Sequence, residues 1–421
     1  MAKSRSLRIR ICLTVFFIAA SLGCGSAKVM FRAAEFSANS DENQTLSSWE
    51  SMPVESLGAL NWGSDSQGQA WSAVSLRRRA QQFDEGGEFL RSFKVRCLRH
   101  LPEVKNLLIP QKFSLEGVIE TAPAHRLSEK SVLQMGMIFD WSVCATLAPS
   151  DLASTDAYSA AMFGTDGEAG WIGIYTPSGK PIDDSSLLPL LLSLDLRWNF
   201  LTVAQLAKTK RWLRKIISSG DGHFEKLPRS SKIHINNHQT WRLALRATAA
   251  KILRDEAELI KTKELLLKHV PANFAAPENW HPRVDCPEQA KAYGGIDFQT
   301  RDALHYHVFN LFAYAQILTF VPEVLNREAL SAIHGAFDFL KPYFLKEKQH
   351  IEFLCTTVKF DRLRAEAGVG NFKNQPWLPE RARNVLRLGR LSFPEIRDWT
   401  TSVVDQKYQS WIQFVVFLKA D

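Results

Sequence analysis

The chain has 421 residues, a formal net charge of +8, 45% hydrophobic residues and 23% charged residues. This length permits one large domain or two ordinary ones, and the composition is that of a globular protein. No run of Lys and Arg indicates a strongly basic nucleic-acid binder, so we expect no nucleic-acid partner, whereas a modest positive excess suits a polyanionic substrate.

The first 27 residues have the pattern of a secretory signal peptide. Basic residues within 5–10 precede an apolar run at 11–22, and small residues follow up to Ala27. The run is too short for a comfortable membrane span, and no later apolar run reaches the length of a spanning helix. We therefore expect cleavage near Ala27 and a secreted or periplasmic protein with no stable membrane span. Cys24 leaves a bacterial lipoprotein site open.

Four cysteines follow the predicted leader and permit three disulfide pairings in an exported protein, among which the sequence does not choose. They are Cys97, Cys144, Cys286 and Cys355. No cluster of cysteine and histidine has the spacing of a zinc site, and we predict no metal and no other cofactor. The oligomeric state stays open.

Residues 28–75 are rich in Ser, Gly, Asn and Asp and predict an irregular N-terminal arm ahead of a helical domain at 76–421. Helix-like apolar spacing then recurs in several segments. In chain order these are 76–100, 127–147, 187–206, a helix ending at the glycines of 220–222, the segment from Asn237, 299–320, 328–342 and 344–365.

Other segments of the domain predict connections. We expect a lid or loop at 149–170 and a loop at 271–287, while 396–418 is mixed and its residues 414–417 suit a helix or a strand. Strand-like alternation is otherwise scarce. Successive apolar helices joined by loops predict an all-α fold, an (α/α) toroid or incomplete helical barrel.

The stretch from Asn236 to Trp241 opens one of these helical segments and carries groups suited to proton transfer. The amide of Asn237 can hydrogen-bond a carboxylate and stabilise its charge, and the imidazole of His238 can accept a proton. Trp241 offers a flat apolar face for a sugar ring. Six residues alone do not establish a function.

A second set of polar side chains lies in the otherwise apolar segment 299–320. Arg301 and His305 are four residues apart and would share one helix face, while Tyr306 and Asn310 would share the next. One such His or Tyr is ordinarily a satisfied core group. Together with the Asn-Asn-His-x-x-Trp stretch, however, the set favours a functional site.

Both stretches resemble motifs of one family. Residues 236–241 (Asn-Asn-His-Gln-Thr-Trp) resemble the Asn-Asn-His-Ser-Tyr-Trp motif of the secreted alginate lyases with an (α/α) toroid fold. Residues 301–307 (Arg-Asp-Ala-Leu-His-Tyr-His) resemble their Arg-Ala-Leu-Ala-Tyr-His helix, and the whole similarity spans residues 125–320. The resemblance implies β-elimination in an anionic uronic-acid polysaccharide without a metal.

The resemblance also implies roles for individual residues. Asn237, with Arg301, would bond the carboxylate of the uronate and stabilise the developing charge. His238 and Tyr306 would serve as base and acid at the C5 proton and the O4 leaving group. Three further residues are expected to contact the substrate: Trp241, Asn236 and His305.

Two positions depart from the family pattern. Phe309 stands where the family has a catalytic tyrosine, which leaves Tyr306 as the nearest phenol. Arg301 is one residue farther from Tyr306 than in the family, a shift of about 100° on a helix. Phe309 therefore keeps a second hypothesis open, a non-catalytic carbohydrate-binding protein on the same toroid.

A third hypothesis is a glycoside hydrolase on an (α/α) barrel, which needs two facing carboxylates. The candidates are Asp140, Asp195, Glu225 and Asp297, and no two form an evident pair in the sequence. The sequence does not choose among alginate, glucuronan and mixed uronans, or between endo and exo action.

Overall fold

The computed structural model describes residues 57–64, 69–76, 88–100, 129–147, 152–165, 169–274, 294–368, 373–400 and 410–419. The predicted signal peptide and most of the predicted arm lie outside these residues. Within them the regular structure is helical, and β-structure is limited to two isolated bridges. The prediction of an all-α fold is confirmed.

The α-helices are numbered here in chain order. They are α1 (Glu88–His100), α2 (Glu129–Leu147), α3 (Leu152–Phe163), α4 (Trp171–Ile174), α5 (Pro181–Asp184), α6 (Leu188–Leu196), α7 (Val203–Glu225), α8 (Asn237–Leu253), α9 (Glu256–Phe274), α10 (Gly295–Arg301), α11 (Leu304–Phe320), α12 (Arg327–Phe344), α13 (Lys359–Glu366), α14 (Arg383–Gly389), α15 (Glu395–Thr400) and α16 (Ser410–Lys419).

Six helices form a closed inner ring. Helix α2 contacts α6, α6 contacts α8, α8 contacts α11, α11 contacts α14, and α14 contacts α16, which returns to α2. Other helices pack against the ring members: α1 and α3 on α2, α7 and α9 on α8, and α12 on both α9 and α11. This arrangement of paired layers is consistent with the predicted toroid.

The distribution of apolar residues along each helix explains whether the helix lies in the inner ring or packs on the outside of it. Every residue of α6 is buried, and in α11 only Tyr306 and Phe312 are not. A helix that is apolar on all sides is stable only when surrounded by protein. Helix α7 instead buries one stripe, which includes Trp212, Leu213 and Ile216, and leaves its other side to solvent.

The helix predicted over 187–206 is two helices, because a capping box begins α7. The Thr202 hydroxyl accepts a hydrogen bond from the backbone N–H of Gln205, and the Gln205 side chain accepts one from the Thr202 N–H. Helix α7 then continues to Glu225 instead of ending at the glycines of 220–222. Gly220 lies inside α7 and faces the Arg242 side chain of α8, where even a Cβ would make only an ordinary contact.

The helix predicted over 299–320 is broken at Asp302. Arg301 ends α10, Asp302 adopts a left-handed φ of 51°, and α11 begins at Leu304. The Asp302 carboxylate accepts a hydrogen bond from the Cys355 N–H at 2.5 Å, which stabilises the break. The prediction that Arg301 and His305 share one helix face is therefore wrong.

Three other segments also differ from prediction. Residues 152–163, expected as part of a lid or loop, form helix α3. Helix α9 continues past Pro271 to Phe274, and residues 345–358, expected to be largely helical, form turns and irregular structure before α13. Residues 414–417, for which the sequence allowed either a helix or a strand, lie within helix α16.

The described part of the predicted arm packs on helix α6. Buried Asp195 accepts hydrogen bonds from the backbone N–H groups of Ala59 and Leu60 and from the Trp62 indole, at 2.8, 3.1 and 2.7 Å. A Cβ on Gly58 would lie 2.2 Å from the Asp195 carboxylate, so this approach requires glycine. Asp195 therefore anchors the segment that precedes the ring.

A disulfide joins Cys97 of α1 to Cys144 of α2, and Cys355 is also disulfide-bonded. None of the described helices has the length and apolar character needed to cross a membrane. In the same part of the chain, no group of three or more His, Cys, Asp and Glu side chains is arranged to hold a metal ion.

Candidate active site

The first predicted stretch forms the N-terminus of α8. Asn236 is the N-cap, and its side-chain oxygen accepts a hydrogen bond from the backbone N–H of His238 at 2.9 Å. Asn237 and His238 therefore lie in the first helical turn. Asn237 is completely buried, while His238 is half-buried.

Asp297 joins this helix start to α10. Its carboxylate accepts hydrogen bonds from the backbone N–H of Asn237 at 2.7 Å and from the Asn237 amide nitrogen at 2.8 Å. Burial raises the pKa of Asp297 to about 7, although the charge of Arg301 and the Asn237 N–H oppose the shift. The Asn237 amide is thus held in one orientation.

Arg301 is held by an aspartate from α13 and a ring from α11. Its guanidinium forms a two-pronged ion pair with Asp361, with nitrogen–oxygen distances of 2.7 and 2.9 Å. The guanidinium carbon lies 3.7 Å from the centroid of the Tyr306 ring, in a cation–π contact. The helix break at Asp302 therefore brings Arg301 and Tyr306 together despite the altered spacing.

Tyr306 is one of the two α11 residues that are not buried. Its surroundings still raise the pKa of the phenol to about 12, mainly by burial, with the Arg301 charge opposing the shift. The ring meets His305 and Phe353 edge-on, with centroid distances of 5.1 and 6.1 Å. At neutral pH the phenol keeps its proton and is suited to proton donation.

His238, in contrast to Tyr306, is suited to accept a proton. Burial, together with electrostatic contributions from Arg301 and His223, lowers the pKa of its imidazole to about 4. At neutral pH the imidazole is uncharged and has a nitrogen lone pair that can accept a proton. Because the charge of Arg301 acts on both His238 and Tyr306, the two predicted stretches share one electrostatic environment.

Trp241 and Phe309 pack against each other in the interior. Their ring centroids are 4.9 Å apart, and Trp241 also meets Phe312 edge-on at 6.0 Å. Trp241 is 1% exposed. These ring contacts bury the side chain that the sequence suggested as a stacking surface for a sugar. Phe309 fills the position of the family's tyrosine without supplying a hydroxyl.

His305 lies in the interior beside Tyr306. Its backbone N–H donates a hydrogen bond to Glu352 at 3.1 Å, and burial together with the charges of Arg381 and Arg301 lowers its pKa to about 3. Burial raises the pKa of Glu352 to about 8. His305 is 7% exposed, which leaves it little surface for the substrate contact expected from the sequence.

Buried hydrogen bonds fix the register of α8 and α11 behind the site. The Thr240 hydroxyl donates to Asn310 at 2.6 Å, and the Asn310 amide donates to Asn273 of α9 at 2.7 Å. The Asn273 amide donates to the Ile235 carbonyl, just before α8, at 2.7 Å. A connected buried network of this kind holds helices in a single register.

Asp297 and Asp361 are the positioning residues that sequence reasoning missed. The sequence indicates Asp297 only as a candidate hydrolase carboxylate and gives Asp361 no role. Each lies 60 residues from its partner in the chain, so no local spacing links Asp297 to Asn237 or Asp361 to Arg301.

The other three hydrolase candidates serve different contacts. Asp195 anchors the arm, Asp140 pairs with Arg96 at 3.6 Å, and Glu225 is exposed at the end of α7. These placements do not supply the facing carboxylate that Asp297 would need in a hydrolase.

Residues 182–350 match the sequence model of the family described as Alginate lyase. The matched segment contains both predicted stretches and runs from α5 to the turns after α12. No curated protein matches the chain. The family match agrees with the two motifs and with the all-helical fold, so this segment is similar to the alginate lyases.

Proposed function

We propose that the protein is a secreted polysaccharide lyase that cleaves a uronic-acid polysaccharide, alginate or a related polyuronate, by β-elimination. The observation that carries the proposal is the pair of hydrogen bonds from Asn237 to Asp297. They link the start of α8 to α10, which ends at Arg301, and this link supports a site built from both motifs. The family match supports a polysaccharide lyase.

In the proposed reaction His238 takes the C5 proton of the uronate. The electron pair of that C–H bond forms the C4=C5 double bond, the C4–O4 bond breaks, and the Tyr306 hydroxyl gives its proton to O4. The protonation states support these roles, because His238 is neutral and Tyr306 is protonated at neutral pH. Proton return from His238 to Tyr306 completes the cycle.

The C5 proton is weakly acidic because the adjacent carboxylate is already negative. Arg301 supports the removal of this proton, since Asp361 engages Nε and Nη2 and leaves Nη1 without a hydrogen bond to any described residue. A hydrogen bond from Nη1 to the carboxylate would stabilise the enolate-like charge. The Asn237 side chain is completely buried and held by Asp297, so its proposed role is to fix the first turn of α8, which carries His238, and not to contact the substrate carboxylate directly as expected from the sequence.

Export is part of the proposal. The leader pattern of residues 1–27 supports it, and so does the Cys97–Cys144 disulfide, because stable disulfides are typical of oxidising compartments.

The test is direct. Purified protein is incubated separately with alginate, glucuronan and a neutral glucan, and the ultraviolet absorbance of unsaturated uronates is followed. We expect a rise with at least one polyuronate and none with the neutral glucan. No rise with either polyuronate contradicts the lyase proposal for those substrates.

A non-catalytic carbohydrate-binding protein is the second candidate, and Phe309 favours it. This residue replaces the family's tyrosine and packs on Trp241. Such a protein would bind a polyuronate without forming unsaturated product, so the same assay combined with a binding measurement separates the two functions.

A further inference from the structure

An open groove lies between α4 and α7, with the loop that follows α4 along one side. Its volume is about 820 Å³, and residues at the end of α3 complete its wall. Ligand sites commonly occupy about 300–1,000 Å³. None of the residues proposed for catalysis lines this groove, so the reaction described above does not account for it.

Three cations from α7 line the groove: Lys208, Arg211 and Lys215. Their spacings of three and four residues place them on one side of the helix. All three are exposed, and none forms an ion pair with a described residue. The described lining residues include no Asp or Glu. A cleft lined by one sign of charge attracts ligands of the opposite sign.

Apart from Thr165 and Thr176, the other described residues of the wall are mainly apolar, and hydrogen bonds hold part of it in place. Phe163 and Ile172 are half-buried at its edge, and the buried Trp212 indole donates a hydrogen bond to the Tyr175 carbonyl at 2.9 Å. The Tyr175 hydroxyl in turn bonds to buried Asp184. The groove therefore pairs a fixed apolar surface with a row of cations. This combination suits a uronate ring, which has an apolar face and a carboxylate at its edge.

Helix α7 also connects the groove to the candidate active site. Lys215 precedes His223 by eight residues, which corresponds to about 12 Å along a helix. Helix α7 packs against α8, whose first turn carries Asn237 and His238, so α7 extends from the groove to the helix that bears the site. A polymer of several sugars can span such a distance, whereas a single sugar cannot.

We infer that the groove lined by Lys208, Arg211 and Lys215 is a second binding site for the acidic polysaccharide, separate from the candidate catalytic residues. This inference rests on the proposed function for the identity of the polymer. The site would hold a distant stretch of the chain that is cleaved at His238 and Tyr306, and it would favour long substrates over short ones.

The test uses two double variants of the full chain, each losing one Lys and one Arg from α7. Arg211→Gln/Lys215→Gln removes cations from the groove, and Lys210→Gln/Arg214→Gln removes cations that do not line it. Binding to sodium alginate, to neutral dextran and to single-stranded DNA is measured by calorimetry in a His238→Ala background, which prevents cleavage. Melting temperatures check that each variant is folded.

We expect the groove variant to weaken alginate binding about three- to tenfold, as the loss of two exposed charge contacts would, and the control variant to weaken it less than about twofold. Added salt should reduce the difference. Equal weakening by both variants overturns the inference, because it would show a general charge effect. Tighter binding of DNA than of alginate also overturns it.

The same variants with His238 intact separate the two proposals. If the protein forms unsaturated uronates and the groove variant binds alginate as well as the wild type, only the groove inference fails. If no polyuronate is cleaved but the groove variant still weakens alginate binding selectively, only the lyase proposal fails. If both hold, the groove variant should raise KM for polymeric alginate and leave KM for a trisaccharide unchanged.

Discussion

At the scale of single residues, the surroundings of His238 and Tyr306 shift their pKa values in opposite directions and so suit them to different proton-transfer steps. Burial and the Arg301 charge keep His238 uncharged, while burial keeps the Tyr306 phenol protonated. Two groups whose pKa values are pushed apart in this way are suited to act as base and acid. An ordinary histidine and tyrosine already have these states at pH 7, and the packing extends them over a wider pH range.

Tyr306→Phe removes the proposed acid without changing the ring that contacts Arg301. We expect kcat on the cleaved polyuronate to fall about 10²- to 10⁴-fold, the usual effect of losing a general acid or base. Tyr314→Phe is the matched control, since it removes a hydroxyl from the same helix in the interior. Retention of more than half of the kcat in Tyr306→Phe would move the acid to another residue.

The pKa of His238 predicts the acid limb of the pH–rate profile. The base must be neutral, so kcat/KM should stay high on lowering the pH to about 5 and fall below about 4, well under the usual histidine value. Initial rates measured after brief exposure, with activity recovered on return to neutral pH, separate titration from unfolding. A fall in kcat/KM with its midpoint near pH 6.5 would show that His238 is not the titrating base or is not buried in solution.

At the scale of elements, the contact between α8 and α10 depends on one carboxylate. Asp297 receives the backbone and side-chain donors of Asn237, and all of these groups are buried. Leaving buried donors unpaired costs about 1–3 kcal/mol. The helix start that carries the first motif is therefore positioned from α10, not by α8 alone.

Asp297→Ala should lower the free energy of unfolding by about 2–3 kcal/mol and reduce kcat more than it raises KM, since the Asn237 amide loses its orientation. Asp297→Asn keeps one acceptor oxygen and should lie between Asp297→Ala and the wild type. Exposed Asp398→Ala serves as the control. Unchanged kcat in Asp297→Ala, measured well below its melting temperature, would limit Asp297 to a structural role.

The raised pKa of Asp297 has a defined effect on stability. Between about pH 4 and its folded pKa of about 7, the folded state binds a proton that the unfolded state has released. Stability from this group is therefore lost as pH rises through that window. Asp297→Asn should remove this part of the pH dependence of the melting temperature.

At the scale of the whole molecule, α16 closes the ring between α14 and α2. Phe414 of α16 packs edge-on against Trp62 of the arm and Phe139 of α2, with centroid distances of 5.9 Å for both. One buried ring thus joins the C-terminal helix, the N-terminal arm and the first ring helix.

Phe414→Ala should therefore destabilise the protein by about 3–5 kcal/mol, the usual cost of truncating a buried aromatic. Phe360→Ala is the control, because Phe360 is 56% exposed. Chemical denaturation followed by circular dichroism gives both values. A loss below about 1 kcal/mol for Phe414→Ala would mean that α16 does not close the ring in solution.

Local patterns were sufficient for much of the fold. The apolar character of α6 and α11 indicated buried helices, and the Asn236 cap marks the start of α8. Patterns failed where a distant contact decided the backbone. The break at Asp302 is stabilised by a hydrogen bond from the backbone of Cys355, 53 residues away in the chain. The spacing of apolar residues indicates which side of a helix is buried, but it does not indicate which distant residues the helix contacts.

The sequence by itself determined the helical class and the two motifs, and residues 182–350 match the family described as Alginate lyase. Only the tertiary structure decided how the motifs meet: Asp297 holds Asn237, and Asp361 holds Arg301 beside Tyr306. The physical reason is that side-chain spacing is encoded within a helix, whereas an ion pair or hydrogen bond across 60 residues depends on the packing of whole helices.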